Sequence, residues 1–433
     1  MEKTTSLNRK IAPSITDAVN FHLSLPKYKK YNLKNGVEVY AVDLGEQDVL
    51  MVNLVFNAGN WFEEKNLVAA TANYLLKNGT SKKSAFDINE HFEYYGSYLN
   101  RSCQNETAEI SLHCLGKYAD KLLPVIAELL TDSVFPEEEL EIYKKNSQQR
   151  LQVSLRKSDF VAGRLIDSYL FGEHHPYGKY SSAEDYANLQ QYEIKDFFKQ
   201  YYQNGKCKIF VAGKLPKDIF ELLDKNLGSL PLKVWNTMEA AIKHPIAPAK
   251  EKKYNVLNDE NGVQGSIRIA CNFPNRHHSD FQKAGVLNTI FGGYFGSRLM
   301  VNIREDKGYT YGIYSYLLNH IQESAWLIST EAGKEVCEAA IQEVYKEMQL
   351  LCDEPVDEEE LQTTRNYMIG IILGDLDGPF QVAGRWKNII LNGLDENYFY
   401  RGIEIIKTIT AKELQELANK YLQPKEFYEL IVV

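Results

Sequence analysis

Between residues 37 and 56 the apolar positions fall into two short runs, Val37-Glu-Val-Tyr-Ala-Val-Asp43 and Val49-Leu-Met-Val-Asn-Leu-Val-Phe56, separated by a polar turn around Gly45. Short apolar runs rich in β-branched residues and bounded by turn residues predict strands. Over residues 63–77 the period becomes helical. Val68, Ala72, Leu75 and Leu76 form one stripe, and Asn78-Gly79 closes the segment. A helix over 84–95 is predicted next, then a hairpin of 98–103 and 107–114 across Gln104-Asn105-Glu106, then long helices from Gly116 and Pro136. Further on, a strand is predicted over 265–272 and a helix over 280–290. The glycine-rich stretch Phe291-Gly-Gly-Tyr-Phe-Gly-Ser297 leads into a helix ending near Arg304. Strands follow from Tyr311 and over 324–330, and the remainder is largely helical.

The pattern occurs twice. Phe135-Pro-Glu-Glu-Glu-Leu140 resembles Pro355-Val-Asp-Glu-Glu-Glu-Leu361, and Leu361 stands 221 residues after Leu140. The stretches 193–213 and 411–433 both read as amphipathic helix, turn and apolar strand, with Tyr421 standing 220 residues after Tyr201. Offsets that agree within one residue predict two homologous halves of the α+β class, each of domain size. Each is expected to be a mostly antiparallel sheet with helices packed on one face. The predicted boundaries are 1–230 and 256–433. The intervening 231–255 contains the proline- and lysine-rich Lys243-His-Pro-Ile-Ala-Pro-Ala-Lys-Glu-Lys-Lys253, an exposed linker.

A composition of 44% hydrophobic and 25% charged residues excludes a disordered chain. With 49 basic against 58 acidic residues the net charge is -9, which argues against a general nucleic-acid binder. No run approaches the ~20 apolar residues of a membrane span. The residues before Asp17 carry no apolar leader, and the six cysteines form no C-x-x-C pair, so reduced thiols and a cytoplasmic setting are expected. The glycines of 291–297 lack the G-K-[ST] ending of a phosphate loop.

Several stretches carry a family resemblance: Tyr31-Asn-Leu-Lys-Asn-Gly-Val-Glu-Val-Tyr40, Asn57-Ala-Gly-Asn60, Asn78-Gly-Thr80, Phe135-Pro-Glu-Glu-Glu-Leu140, His175-Pro-Tyr-Gly178, Ser297-Arg-Leu299 and Arg304-Glu-Asp-Lys-Gly308. In this order the chain resembles the pitrilysin/insulinase-type zinc peptidases, which include mitochondrial processing peptidases and the core subunits of the respiratory bc complex. Active members carry H-x-x-E-H on the helix before the Asn-Gly-Thr turn, two histidines for zinc and a glutamate that activates the bound water. The matching positions here are Ala70, Asn73 and Tyr74. A methyl group cannot ligate, and a neutral amide cannot take a proton. The family's third ligand, a glutamate, lies on the helix that begins here at Pro136, but residues 142–155 contain no acid. No histidine motif elsewhere replaces the site, and His174-His175 and His277-His278 read as turn residues.

The resemblance also implies that Arg304 and Tyr311, seven residues apart, line the face opposite the zinc and hold the substrate backbone and the oxyanion. Asn100 matches the family's substrate-strand asparagine, while Arg101 replaces a small residue. The resemblance therefore implies a subunit that needs no cofactor of its own and completes a homologous, zinc-bearing peptidase subunit acting on a peptide. The alternative is a catalytically silent scaffold or peptide-binding protein like the bc-complex core subunits, and a homodimer is also compatible. An independent hydrolase has no G-x-S-x-G nucleophile elbow to support it.

Overall fold

The computed structural model describes residues 17–238 and 242–433. The first sheet contains β1 (Lys29–Asn32), β2 (Glu38–Asp43), β3 (Val49–Phe56), β4 (Tyr98–Cys103), β5 (Ala108–Leu115), β6 (Lys206–Gly213) and the short β7 (Lys233–Val234). Its order is β1-β2-β6-β3-β5-β4, with β7 beside β6. The second sheet contains β8 (Lys253–Val256), β9 (Gln264–Phe273), β10 (Thr310–Asn319), β11 (Ser324–Gly333) and β12 (Tyr428–Val432), ordered β10-β11-β9-β12-β8. The path β4-β5-β3-β6-β2 of the first sheet thus recurs as β10-β11-β9-β12-β8. In both, the equivalent outer pair is parallel (β2 with β6, β8 with β12) and the inner pairs are antiparallel.

The continuous apolar run of β3 follows from its central place. Val52, Leu54, Val55 and Phe56 are all fully buried, which requires cover on both faces of the sheet. One face carries helices of the same half. The other is covered by a helix of the opposite half, an addition to the expected one-faced layering. Helix Ser158–Phe171 of the first half lies on β9 and β12, burying Ala162, Ile166 and Leu170 against Ala270, Leu327 and Leu430. Helix Pro379–Leu391 of the second half lies on β6 and β2, burying Val382, Ala383 and Trp386 against Tyr40, Val42 and Phe210. Pro379 stands 221 residues after Ser158, the same interval found in the sequence. Trp386 donates its indole N–H to the carbonyl of Pro26 (2.7 Å), and Lys387 pairs with Glu109 on β5 (2.7 Å). The halves therefore clasp each other reciprocally.

Two local readings change. The first helix spans Val68–Leu75 rather than starting at Glu63. Glu63 is buried, accepts hydrogen bonds from the Leu67 and Ala69 amides, and pairs with Lys179 (2.6 Å). Its carboxylate caps the helix from outside, where the helix dipole favours negative charge. The stretch 231–255 carries β7 at one end and part of β8 at the other. Between them the Ala247 and Ala249 amides donate to the carbonyls of Phe171 and Tyr169, so this segment runs along the crossing helix. Among the described residues no helix is long and apolar enough to cross a membrane.

The reciprocal clasp predicts that Ile166→Ala, which empties the contact between the first half's helix and the second half's sheet, lowers unfolding free energy by about 2–4 kcal/mol. Chemical denaturation should show one transition shifted for both halves together; early unfolding of one half alone would contradict the clasp.

Candidate functional site

Ala70, Asn73 and Tyr74 lie on the short helix Val68–Leu75, beside β4 and facing helix Glu137–Ser154. They line a cleft of about 470 Å³ together with Arg101, Ser147 and Arg150. Tyr143, Ser147, Arg150 and Ser154 share one helix face because their spacing of four, three and four residues follows the helical turn. Asn73 is buried. Its amide donates to the Glu109 carbonyl (3.3 Å) and to the Tyr202 hydroxyl (3.1 Å), so it joins helix and sheet. The Tyr74 ring packs against Tyr143, with centroids 4.8 Å apart, and lies on the rim at 43% exposure.

The side chain of Arg101, from β4, enters the cleft. Its guanidinium lies 5.3 Å from the Tyr74 ring centroid and donates to the Tyr74 carbonyl, while its Nε is buried without a hydrogen-bond partner. Burial lowers the Arg101 pKa to about 10, partly offset by the neighbouring Tyr74 and Tyr202 phenols, so it remains a cation at neutral pH. Arg150 donates to the Ser147 hydroxyl (2.8 Å). No aspartate or glutamate lines the cleft. Among the described residues, no group of three His, Cys, Asp or Glu side chains is placed to hold a metal ion. A zinc site requires several lone pairs and negative charge; this cleft presents a methyl group, an amide N–H that is already donating, two guanidinium cations and a lone thiol, Cys103, which burial pushes up to about 12. The residues do not fit a zinc ion.

Arg304 and Tyr311 lie elsewhere, on the second half, and neither lines this cleft. Arg304 sits in the helical turn Met300–Asp306, donates through Nε to the Tyr311 carbonyl (3.1 Å), and stacks over Phe295 at 4.5 Å. Gly308, at φ +65°, supplies the left-handed turn between them. In β10, Thr310 pairs with Ala332 and Ile313 with Thr330, so Tyr311 and Gly312 together face Glu331 alone. This bulge turns the Tyr311 ring outward to 94% exposure. The seven-residue spacing thus corresponds to a real contact, made by the arginine side chain to the tyrosine backbone. Asn100 is exposed on β4, the last strand of its sheet, opposite Ser111 on β5.

Two models of one peptidase family match the chain: "Insulinase (Peptidase family M16)" over residues 40–174 and "Peptidase M16 inactive domain" over 188–368. The chain belongs to peptidase family M16. The uncharacterized zinc protease YmxG of Bacillus subtilis is 23% identical over 394 residues, covering 90% of this chain and 93% of that protein. The Helicobacter pylori non-peptidase homologue YmxG is 23% identical over 404 residues, covering 88% of each. The crystal structure of a peptidase M16 inactive domain from Pseudomonas fluorescens superposes with a TM-score of 0.84 at 21% identity, covering 94% of this chain and 98% of that one. The inactive-domain model over 188–368, together with the likeness to a non-peptidase homologue, makes the chain an inactive-type M16 member.

The structure also gathers His175, His244 and His320 at the seam between the halves. His175 is buried rather than a simple turn residue. His320 stacks on Tyr177 (centroids 4.1 Å apart) and meets Asn105 at 3.3 Å, while His244 meets the Trp61 carbonyl at 3.0 Å. Glu106 accepts from the Tyr177 hydroxyl and from the Ile321 amide (3.0 Å), joining the two halves. Burial depresses both His175 and His320 from the ordinary 6.5 to about 4. The only sequence sign was the His-Pro-Tyr-Gly turn at 175–178.

Two outcomes follow. Asn73→Leu leaves the Tyr202 hydroxyl and the Glu109 carbonyl without this donor, and should cost about 1–3 kcal/mol in denaturant unfolding; an unchanged midpoint would show the amide is dispensable. Because His175 and His320 titrate lower when folded, the unfolded chain binds more protons as pH falls, so their contribution is intact above about 6.5 and lost toward about 4. Burial raises the Glu106 pKa, which opposes this partly. His320→Phe should therefore lose less stability than wild type between pH 7 and 4.5, by on the order of 1–3 kcal/mol; parallel pH profiles would contradict it.

Proposed function

We propose that this chain is the non-zinc subunit of a heteromeric M16 peptidase, presenting Arg304 and Tyr311 to a homologous partner that carries H-x-x-E-H. The observation that carries the reading is a contrast within one molecule. The metal-binding positions hold Ala70, Asn73 and Tyr74, whereas Tyr311 is 94% exposed on a bulge that keeps its phenol pointing into solvent. An exposed tyrosine beside the exposed aromatics Phe295 and Tyr314 is a surface suited to a partner, because aromatic side chains bring large contact areas and a polar tip. Among the described residues the terminal nitrogens of Arg304 pair only with the neighbouring Glu305 (3.4 Å), so they can reach a peptide carbonyl. In this role Arg304 orients the substrate backbone, and Tyr311 donates one neutral hydrogen bond to the oxyanion formed when the partner's activated water attacks. The shared strand order and the repeated 221-residue interval support descent of the two halves from one duplicated unit.

Mixing the purified chain with a zinc-bearing M16 homologue should raise peptide hydrolysis above that of the homologue alone. Arg304→Ala and Tyr311→Phe should each cut that stimulation by about a hundredfold, the scale of losing one oxyanion donor. Stimulation that survives both substitutions, or none at all, would overturn the reading and favour an inert scaffold.

A further inference from the structure

The cleft left by the degenerate motif contains something a vacant metal site would not. Arg101 and Arg150 both line it, and among the described residues neither pairs with a carboxylate. The Arg101 Nε is buried without a partner, and the ionisable groups that act on this guanidinium are the Tyr74 and Tyr202 phenols and a further cation, Lys77. Removing a cation from water without a counter-charge is costly, and a hydrogen-bonded anion would offset that cost. The chain as a whole carries a net charge of -9, so a cleft lined by two arginines and no acid runs against the general trend of the surface. Hydroxyl donors stand beside the guanidinium groups, namely Ser102, Ser147 and the Tyr74 and Tyr143 phenols.

The strand that delivers Arg101 also has a free edge. β4 ends the first sheet, with Tyr98 and Asn100 exposed and Leu99 buried. A peptide can extend such an edge through main-chain hydrogen bonds, and specificity then comes from pockets along the strand. Guanidinium groups select planar, two-oxygen acceptors.

We propose that this cleft is a carboxylate-recognition site, in which Arg101 and Arg150 hold a peptide carboxylate. The carboxylate comes from a chain terminus or from an acidic side chain, and the chemistry of capture is the same. The site needs no catalytic partner, so its failure would leave the subunit reading above untouched.

The test is isothermal titration calorimetry on the whole chain with three peptides: acetyl-Val-Thr-Val-Thr-Val bearing a free C-terminal carboxylate, the same peptide amidated, and the amidated peptide with glutamate replacing its second threonine. At least one acidic peptide should bind ten times or more tighter than the neutral amide. Preference for the free acid identifies a terminus, and preference for the glutamate peptide identifies a side chain. Arg150→Gln, at an exposed position that leaves folding intact, and Arg101→Gln should each remove the preference. Thermal unfolding checks that both variants are folded. Equal binding of acidic and neutral peptides, a preference that survives both substitutions, or no binding by any of the three peptides would overturn the proposal.

Discussion

One half-buried charge governs the chemistry of the first half. The Arg101 guanidinium stands over Tyr74, beside the helix that would hold a metal in active relatives, and no carboxylate answers it. A divalent cation is not stabilised next to a guanidinium that has no carboxylate partner, where the neighbouring side chains offer a methyl group and a committed amide. Three features act together: Ala70 offers no lone pair, Asn73 braces the helix against Glu109 and Tyr202, and Arg101 makes the local field positive. Restoring one histidine would not restore a metal site.

The fold keeps this altered cleft rigid. Each sheet is closed by a helix of the other half, and the seam is tied by the Lys387–Glu109 pair and by the Glu106, Tyr177 and Ile321 contacts. Glu109 lies at a junction. Its carbonyl accepts from Asn73 and its carboxylate pairs with Lys387 of the second half, so the degenerate helix is braced by the clasp. Arg304 and Tyr311 are set by a local device, a bulge and a left-handed glycine, which leaves them exposed whatever happens in the cleft.

Much of this was legible in the residues. The strand at Val49–Phe56, the buried stripe of Val68, Ala72, Leu75 and Leu76, and the hairpin of β4 with β5 follow from periodicity and turn chemistry, and the structure has them. Ala70, Asn73 and Tyr74, singled out by position alone, do line one cleft in the structure. What could not be read depended on contacts distant in sequence. Glu63 looks like part of a helix until Lys179 and two amides claim it as a cap. Crossing of the helices is invisible because an amphipathic pattern shows that a face is buried, not which half buries it. His175 is the turn residue its sequence suggests, accepting from the Gly178 amide, and only the approach of Trp61, Tyr177 and His244 shows that it is also core. Arg101 registered as a departure from a small residue; that its guanidinium occupies the cleft required the geometry of β4 against the helix.

The central claim is that the cleft beneath Tyr74 has exchanged affinity for a metal cation for a fixed positive charge. Equilibrium dialysis of the purified chain against zinc, followed by metal analysis, tests it most directly. The account predicts no stoichiometric metal retained at neutral pH. A zinc ion held by each chain and lost on Tyr74→Phe would contradict it.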